Sequence, residues 1–461
     1  MRTLVRGGTV VSATHASVAD VLVDGEEIVA VGNVGEVDAQ VVDATGCYVL
    51  PGLIDNHTHM AMPFGGTRSI DDYDTGTRAA AAGGTTCIVD FVIQQEGGGL
   101  QSSLDEWQER AAGAAHIDYG FHVAITQADE GTFADMPSMV EQGIATFKVF
   151  LAYKGVLMVT DDLFLRVLET TRDLGALTMV HCENGWAIDV LVQRALAAGQ
   201  TDPIHHARTR PEILEAEATS RSVRLAELAG AGVYIVHVTC GLAAGEIAAG
   251  QARGVAVSGE TCLQYLTNTV DDLARPDFEG ARYVCSPPLR EAHNQELLWT
   301  ALRRGVLESV STDHCPFNSE QKALGRDDFS KIPNGLAMIQ HRLVKLWDLG
   351  VAGGRITPSE LVDLTSTAIA RRFGLARKGT IAPGMDADLV VFDPSTPFTF
   401  STRTSHMNVD YDLFEGQTSS GSVRHTFCRG TLVYDRGEIL TAPGHGRYVP
   451  RSLGATTAIA S

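Results

Sequence analysis

The chain has 461 residues, 44% hydrophobic and 20% charged, which is enough apolar side chain for a large buried core and excludes a disordered chain. A formal net charge of -20 excludes nucleic acid and an anionic membrane surface as main partners and favours a neutral or cationic small-molecule substrate. The eight cysteines form no CxxC pair, no apolar run is long enough to span a bilayer, and no apolar stretch follows the N-terminal arginines, so a cytoplasmic protein with free thiols is expected.

In chain order, the first fifty residues read as short Val-rich strands. Asp24-Gly25, between "VLV" and "EEIVAV", is a hairpin turn signal. From residue 53 onward, apolar strand-like runs alternate with Ala/Leu/Glu-rich helical runs. "CIVDFVI" precedes "LQSSLDEWQERAAGA", and "ATFKVFLAY" leads to "TDDLFLRVLETTRDLG". "LTMVHCEN" follows, "EILEAEATSRSVRLAELAG" precedes "VYIVHVTC", and "NQELLWTALRRG" precedes "ESVSTDHC". Repeated βα units predict an α/β fold built on a (β/α)8 TIM-like barrel. A doubly wound open sheet is the alternative, but no GxGxxG follows the first strand.

Strand grammar returns in "GTIAPGMDADLVVFDP" and "VRHTFCRGTLVYDRGEIL". The two terminal β segments predict one small β-sandwich, made of residues 1–52 and 376–440, with the barrel at 53–375. Residues 441–461 read as a tail, free to pack on a neighbouring subunit or to stay loose.

Several predicted strands end in metal-ligand residue types. His57 and His59 close "VLPGLIDNHTHM", His181 closes "ALTMVH", His237 lies in "VYIVHVTC", and Asp313 lies in "ESVSTDHC". Positions i and i+2 on a strand face the same way, so the two imidazoles of His-x-His share a side. A parallel barrel gathers all its strand C-termini at one face, where residues remote in sequence converge. A lone histidine at a strand end is ordinarily a satisfied core or surface residue, and His116, His122, His205, His206 and His406 are read so. Four histidines and an aspartate at strand ends are a stronger signal, and imidazole with carboxylate suits Zn, Mn, Co or Ni.

Lys148 interrupts the apolar run "ATFKVFLAYKGVLM". A buried ammonium is costly unless neutralised or paired. Burial favours the neutral amine, which reacts with CO2 to give a carbamate whose two oxygens bridge two cations. The competing reading is a lysine whose ammonium reaches solvent at the strand end.

With these residues in place the chain resembles the dihydropyrimidinase/hydantoinase family of cyclic amidohydrolases, closest to the D-hydantoinases. The matching motifs are "PGLIDNHTHMAMPFGG", "FKVFLAYKG", "MVHCENG", "IVHVTC", "SGETCLQYL", "SPPLR", "STDHCPF" and "PNGLAM". The resemblance implies two divalent metal ions per subunit, zinc first with manganese, cobalt or nickel as alternatives. His57, His59, Lys148 and Asp313 hold one; Lys148, His181 and His237 hold the other; Lys148 is N6-carboxylysine, shared by both. It assigns Tyr153 to the substrate carbonyl, and the backbone groups of Ser286 and Asn334 to the ring amide.

The implied chemistry is attack on the ring amide by a hydroxide shared between the cations. Tyr153 steadies the oxyanion, Asp313 carries the proton to the leaving nitrogen, and the product is an N-carbamoyl amino acid. Met60 to Phe64 form an apolar stretch where dihydroorotases carry an arginine, which favours dihydropyrimidines or 5-substituted hydantoins. Met62, Phe64, Phe150 and Leu157 are candidates for lining the pocket of the ring substituent. An allantoinase-like hydrolase is the nearest alternative, and a non-catalytic scaffold related to dihydropyrimidinase is a further one. The family also implies a homo-oligomer, commonly a tetramer.

Overall fold

The computed structural model describes residues 2–127 and 129–453. Eight parallel strands form the central sheet: Leu53–Thr58, Thr85–Ile93, Asp118–Ala124, Thr146–Phe150, Leu177–His181, Val233–Ile235, Val257–Cys262 and Ser309–Ser311. They run in sequence order around the sheet. The last meets the first through a parallel bridge between Thr58 and His314, where His59 N donates to His314 O at 2.9 Å. The result is a nearly closed TIM-like barrel.

Most of these strands are buried along their whole length. They are covered by helices outside and by packed side chains inside, which is why they read as continuous apolar runs. Helices such as Asp161–Asp173, Glu212–Ala229 and His293–Arg303 lie outside the barrel at the positions their periodicity predicts. The helix Glu212–Ala229 stops at Gly230, whose φ of 62° is left-handed and is reached without steric cost only by glycine.

The two ends of the chain meet in one nine-stranded mixed sheet. Its seam is the antiparallel pairing of Tyr48–Pro51 with Leu389–Asp393, so the N-terminal and C-terminal segments complete each other. The hairpin expected at Asp24-Gly25 joins Ala16–Asp24 to Glu27–Gly32, with Gly25 at φ 63°. The sheet encloses an apolar core of its own, including Val5, Val21, Val23, Ile28, Val49, Leu389 and Phe427.

Residues 441–453 are not a loose tail. They cross the N-terminal end of this chain's own barrel, with Tyr119 N donating to Arg447 O, Val449 N to Tyr119 O and Arg451 N to Gly143 O. Arg451 is buried and donates to Phe121 O and Thr146 Oγ1, while Leu453 joins Phe91, Met179 and Phe373 in the barrel floor. The physical reason is the open lower end of the barrel, whose strand termini and apolar interior need a cover. The remainder of the predicted tail, 454–461, lies outside the described residues. No described helix is long and apolar enough to cross a membrane.

Candidate metal centre

The barrel delivers its polar residues to one end. His57 lies on the first strand and His59 just beyond it, with ring centroids 5.2 Å apart. Asp313 follows the last strand by two residues, and its Oδ1 lies 3.2 Å from His57 Nε2 and 3.1 Å from His59 Nε2. Lys148, in the middle of the fourth strand, brings Nζ to 3.0 Å from the same His57 Nε2. His181 ends the fifth strand, and its Nδ1 lies 2.9 Å from His237 Nε2. The ring of His237 stacks 5.4 Å from that of His57, which joins the two groups. His237, Asp313 and Tyr153 all have positive φ, at 41°, 50° and 66°. Such backbone is costly for non-glycine residues and concentrates at functional sites.

Burial sets the electrostatics. Lys148 is 1% exposed and lies over the rings of Phe91 and Phe150, at 4.2 and 4.9 Å. Burial pushes its amine down to about 8. The imidazoles of His57 and His237 are held well below their ordinary range, first by burial and then by neighbouring cationic groups; His59 is lowered as well, with burial again the first cause. Asp313 goes the other way. Burial raises it, but His57, His59 and Lys148 outweigh that and bring it to about 2. His57, His59 and His237 are therefore neutral imidazoles with free lone pairs, set beside an ionised carboxylate and an amine whose proton burial loosens. The ligand atoms of His57, His59 and Asp313 lie within 4.8 Å of one another. This donor set fits divalent cations of the borderline class.

Supporting residues that sequence reading passed over lie directly behind the donors. Glu260, on the seventh strand, accepts from His57 Nδ1 at 2.5 Å and also from Asn56 Nδ2. Glu183 Oε2 lies 2.8 Å from His181 Nε2. Asp90 accepts from Thr58 Oγ1 at 2.8 Å and Met60 N at 3.0 Å, and so pins the backbone on either side of His59. Nothing in "SGETC" sets Glu260 apart from an ordinary strand-end carboxylate. His206, read as an ordinary histidine, is buried with Nε2 2.9 Å from Cys285 O and 3.1 Å from Ser286 Oγ. It supports Ser286.

Above the donors opens a cavity of about 620 Å³. His59, Lys148, His181, His237 and Asp313 form part of its lining, and His57 lies behind them. Tyr153, Ser286 and Asn334 line the same cavity, as do Met62, Phe64, Phe150 and Leu157. Asn334 Nδ2 donates to Ser286 Oγ at 3.1 Å. The Tyr153 ring lies 5.3 Å from that of His181 and meets Phe64 edge-on at 5.5 Å. Burial keeps the Tyr153 hydroxyl protonated well beyond its ordinary range, so it is a donor.

Comparison with known proteins gives the family. Residues 48–433 match the model of the Amidohydrolase family. A D-hydantoinase of Geobacillus stearothermophilus is 48% identical over 98% of this chain and 97% of its own, and one of Streptomyces coelicolor is 48% identical over 98% of each. The crystal structure of dihydropyrimidinase from Brevibacillus agri superposes with a TM-score of 0.97 at 50% identity, over 98% of this chain and 99% of that one. The chain thus belongs to the amidohydrolase family, among the cyclic amidohydrolases that comprise the hydantoinases and dihydropyrimidinases.

Proposed function

We propose that this enzyme hydrolyses the ring amide of 5-substituted hydantoins, dihydropyrimidines or both, giving N-carbamoyl amino acids. The observation that carries the proposal is the cavity itself. Its floor is a cation-type donor set around a buried lysine, and its walls combine a neutral phenol, two amide-bearing segments and apolar side chains. The names of the relatives, hydantoinase and dihydropyrimidinase, point to the same substrates.

His57, His59, Lys148 and Asp313 would hold one divalent cation, zinc or a similar ion, and Lys148, His181 and His237 a second. Lys148 serves both as the carbamate, formed when its neutral amine takes up CO2 and releases a proton. A cation pair there supplies a nucleophile at neutral pH by lowering the pKa of water. The remaining work falls to the chain's own side chains. Asp313, held ionised, accepts the proton of the attacking water and passes it to the departing ring nitrogen. Tyr153 donates to the carbonyl oxygen on which charge develops. The backbone groups of Ser286 and Asn334 hold the ring amide. Met62, Phe64, Phe150 and Leu157 receive the ring substituent.

The test is ring opening of dihydrouracil and racemic 5-phenylhydantoin by metal-replete protein, with chiral analysis of the carbamoyl product. Turnover with D product from the hydantoin is expected. No turnover of either substrate, with two metals per chain confirmed, would overturn the proposal.

A further inference from the structure

Lys322 is a second fully buried lysine, outside the cavity lining and 1% exposed. It ends a one-turn helix, Ser319–Lys322, whose start is fixed by Asn318: Gln321 N donates to Asn318 Oδ1 at 2.8 Å, and Asn318 N to Gln321 Oε1 at 2.9 Å. Among the described residues no carboxylate pairs with it. The titratable groups facing it are the thiols of Cys285 and Cys315 and the imidazole of His206. Its partners are three backbone carbonyls: Val284 O at 3.0 Å, Pro333 O at 2.7 Å and Gly335 O at 2.9 Å. An ammonium has three N–H donors and no acceptor, so the match is complete.

The identity of those carbonyls matters. Val284 lies two residues before Ser286, and Pro333 and Gly335 flank Asn334. The two segments come from different loops at the catalytic end of the barrel, one after the seventh strand and one after the eighth. They share no strand ladder. Besides Lys322 they are joined by Gly335 N donating to Val284 O at 3.0 Å and by the Asn334–Ser286 side-chain bond. Gly335, at φ 149°, threads so close to Cys315 that any Cβ there would strike the Cys315 carbonyl.

We propose that Lys322 is a positioning residue for substrate. Its ammonium ties the Ser286 and Asn334 segments together and fixes the spacing of the backbone groups that hold the ring amide. The inference rests on the preceding reading that these two segments hold that amide. Burial, only partly opposed by the thiols of Cys285 and Cys315, pushes the Lys322 amine down to about 7. The three carbonyls oppose this, because a neutral amine would have to turn its lone pair on one of them. A hydrophobic residue of similar length would fill the space but leave carbonyls buried without donors, and the two segments would relax apart.

The experiment compares wild-type holoenzyme with Lys322→Met and Lys322→Gln on dihydrouracil and 5-phenylhydantoin, with bound metal and circular dichroism matched first. Lys322→Met is expected to raise KM by about tenfold or more while kcat stays within about threefold. Lys322→Gln, which keeps amide donors on a shorter arm, is expected to fall between. A merely structural role would lower the active fraction or the melting temperature without this split. Turnover with wild-type KM in Lys322→Met overturns the inference and leaves the reading of the site intact. If Lys322→Met does not fold, Lys322→Gln decides, and a wild-type KM there overturns the inference. Absence of turnover by the wild type overturns the reading of the site, and the inference with it.

Discussion

The carboxylate of Glu260 lies 2.5 Å from His57 Nδ1, and neither side chain is exposed. Glu260 accepts from His57 Nδ1, which places the imidazole proton on that nitrogen. That fixes the tautomer: Nε2 keeps its lone pair and faces Lys148 and Asp313. Glu183 does the same for His181 on the other side of the centre, with Nδ1 left facing His237. Each proposed cation thus has one histidine oriented by its own buried carboxylate.

The two carboxylates predict separable metal losses. In Glu260→Gln a single amide oxygen must serve His57 Nδ1, Asn56 Nδ2 and the Tyr234 hydroxyl, all of which now donate to the carboxylate. Affinity at the His57 position is expected to fall by about 10–100-fold. Glu183→Gln should deplete the His181–His237 position instead. Metal analysis after dialysis, with circular dichroism unchanged, reads both. Two tightly held ions in each variant would contradict the assignment.

Lys148→Ala is expected to keep the fold and lose both metals and activity. Among the described residues the buried amine has no carboxylate within hydrogen-bonding distance, so its removal relieves a desolvation cost that offsets part of what the cavity and the lost metals take from stability. Short-chain carboxylic acids should restore part of the activity by entering the space the side chain vacates. Full activity in the unsupplemented variant would sink the carbamate.

Tyr153→Phe isolates the oxyanion donor. The ring and its packing against His181 and Phe64 are preserved, and only the hydroxyl is lost. kcat is expected to drop by about 10²–10³-fold with a small change in KM. Because the Tyr153 pKa is raised above its ordinary value, no fall in wild-type activity from its ionisation is expected up to about pH 10. An unchanged kcat in Tyr153→Phe would remove the residue from the reaction.

The donors were legible because chemistry and periodicity pointed the same way. His57, His59, His181 and His237 stand at or near the ends of apolar runs, and a barrel sends those ends to one place. Lys148 was legible as a contradiction, a cation inside a strand. The residues behind the donors were not. Glu183 sits in "HCEN" and Glu260 in "SGETC", where a carboxylate reads as an ordinary loop or strand-end polar residue. Only the three-dimensional approach of strands one and seven shows that Glu260 meets His57. The packing of residues 441–453 was not legible either: nothing in "TAPGHGRYVPRSL" points to the uncovered barrel floor that binds its backbone. Lys322 lies in "SEQKALG", a pattern of an exposed helix, and its burial depends wholly on loops from elsewhere.

Leu157 tests the substituent pocket without touching the donors. It lines the cavity beside Phe64 and Phe150 and is partly exposed. Leu157→Ala removes apolar contact that a 5-phenyl group would use and dihydrouracil would not. The ratio of kcat/KM for 5-phenylhydantoin over dihydrouracil is expected to fall by about tenfold, the range for lost methylene contacts in an apolar pocket. An unchanged ratio would return Leu157 to ordinary loop packing.

Lys378 gives a stability prediction far from the cavity. Its Nζ reaches Asp118 at 2.8 Å, Asp386 at 3.2 Å and Asp388 at 2.7 Å, and Arg429 also pairs with Asp118. Asp118 opens the third barrel strand, whereas Asp386 and Asp388 lead into the terminal sheet, and Arg447 N donates to Asp118 Oδ1 at 3.0 Å. One ammonium therefore joins barrel and sheet beside the segment that covers the barrel floor. Lys378→Met leaves buried Asp388 without its cation, while Asp118 keeps Arg429 and Asp386 keeps Arg377, and should cost about 3–5 kcal/mol of stability in urea unfolding. Burial lowers the Lys378 pKa, but Asp388 foremost outweighs it, and the folded value lies above that of an ordinary lysine. A group so raised stabilises fully below its unfolded pKa and loses that contribution only as pH rises through the folded value. As far as Lys378 itself titrates, the difference between wild type and variant should be flat from about pH 6 to 9. A variant as stable as wild type would show that desolvation of the network cancels its attraction.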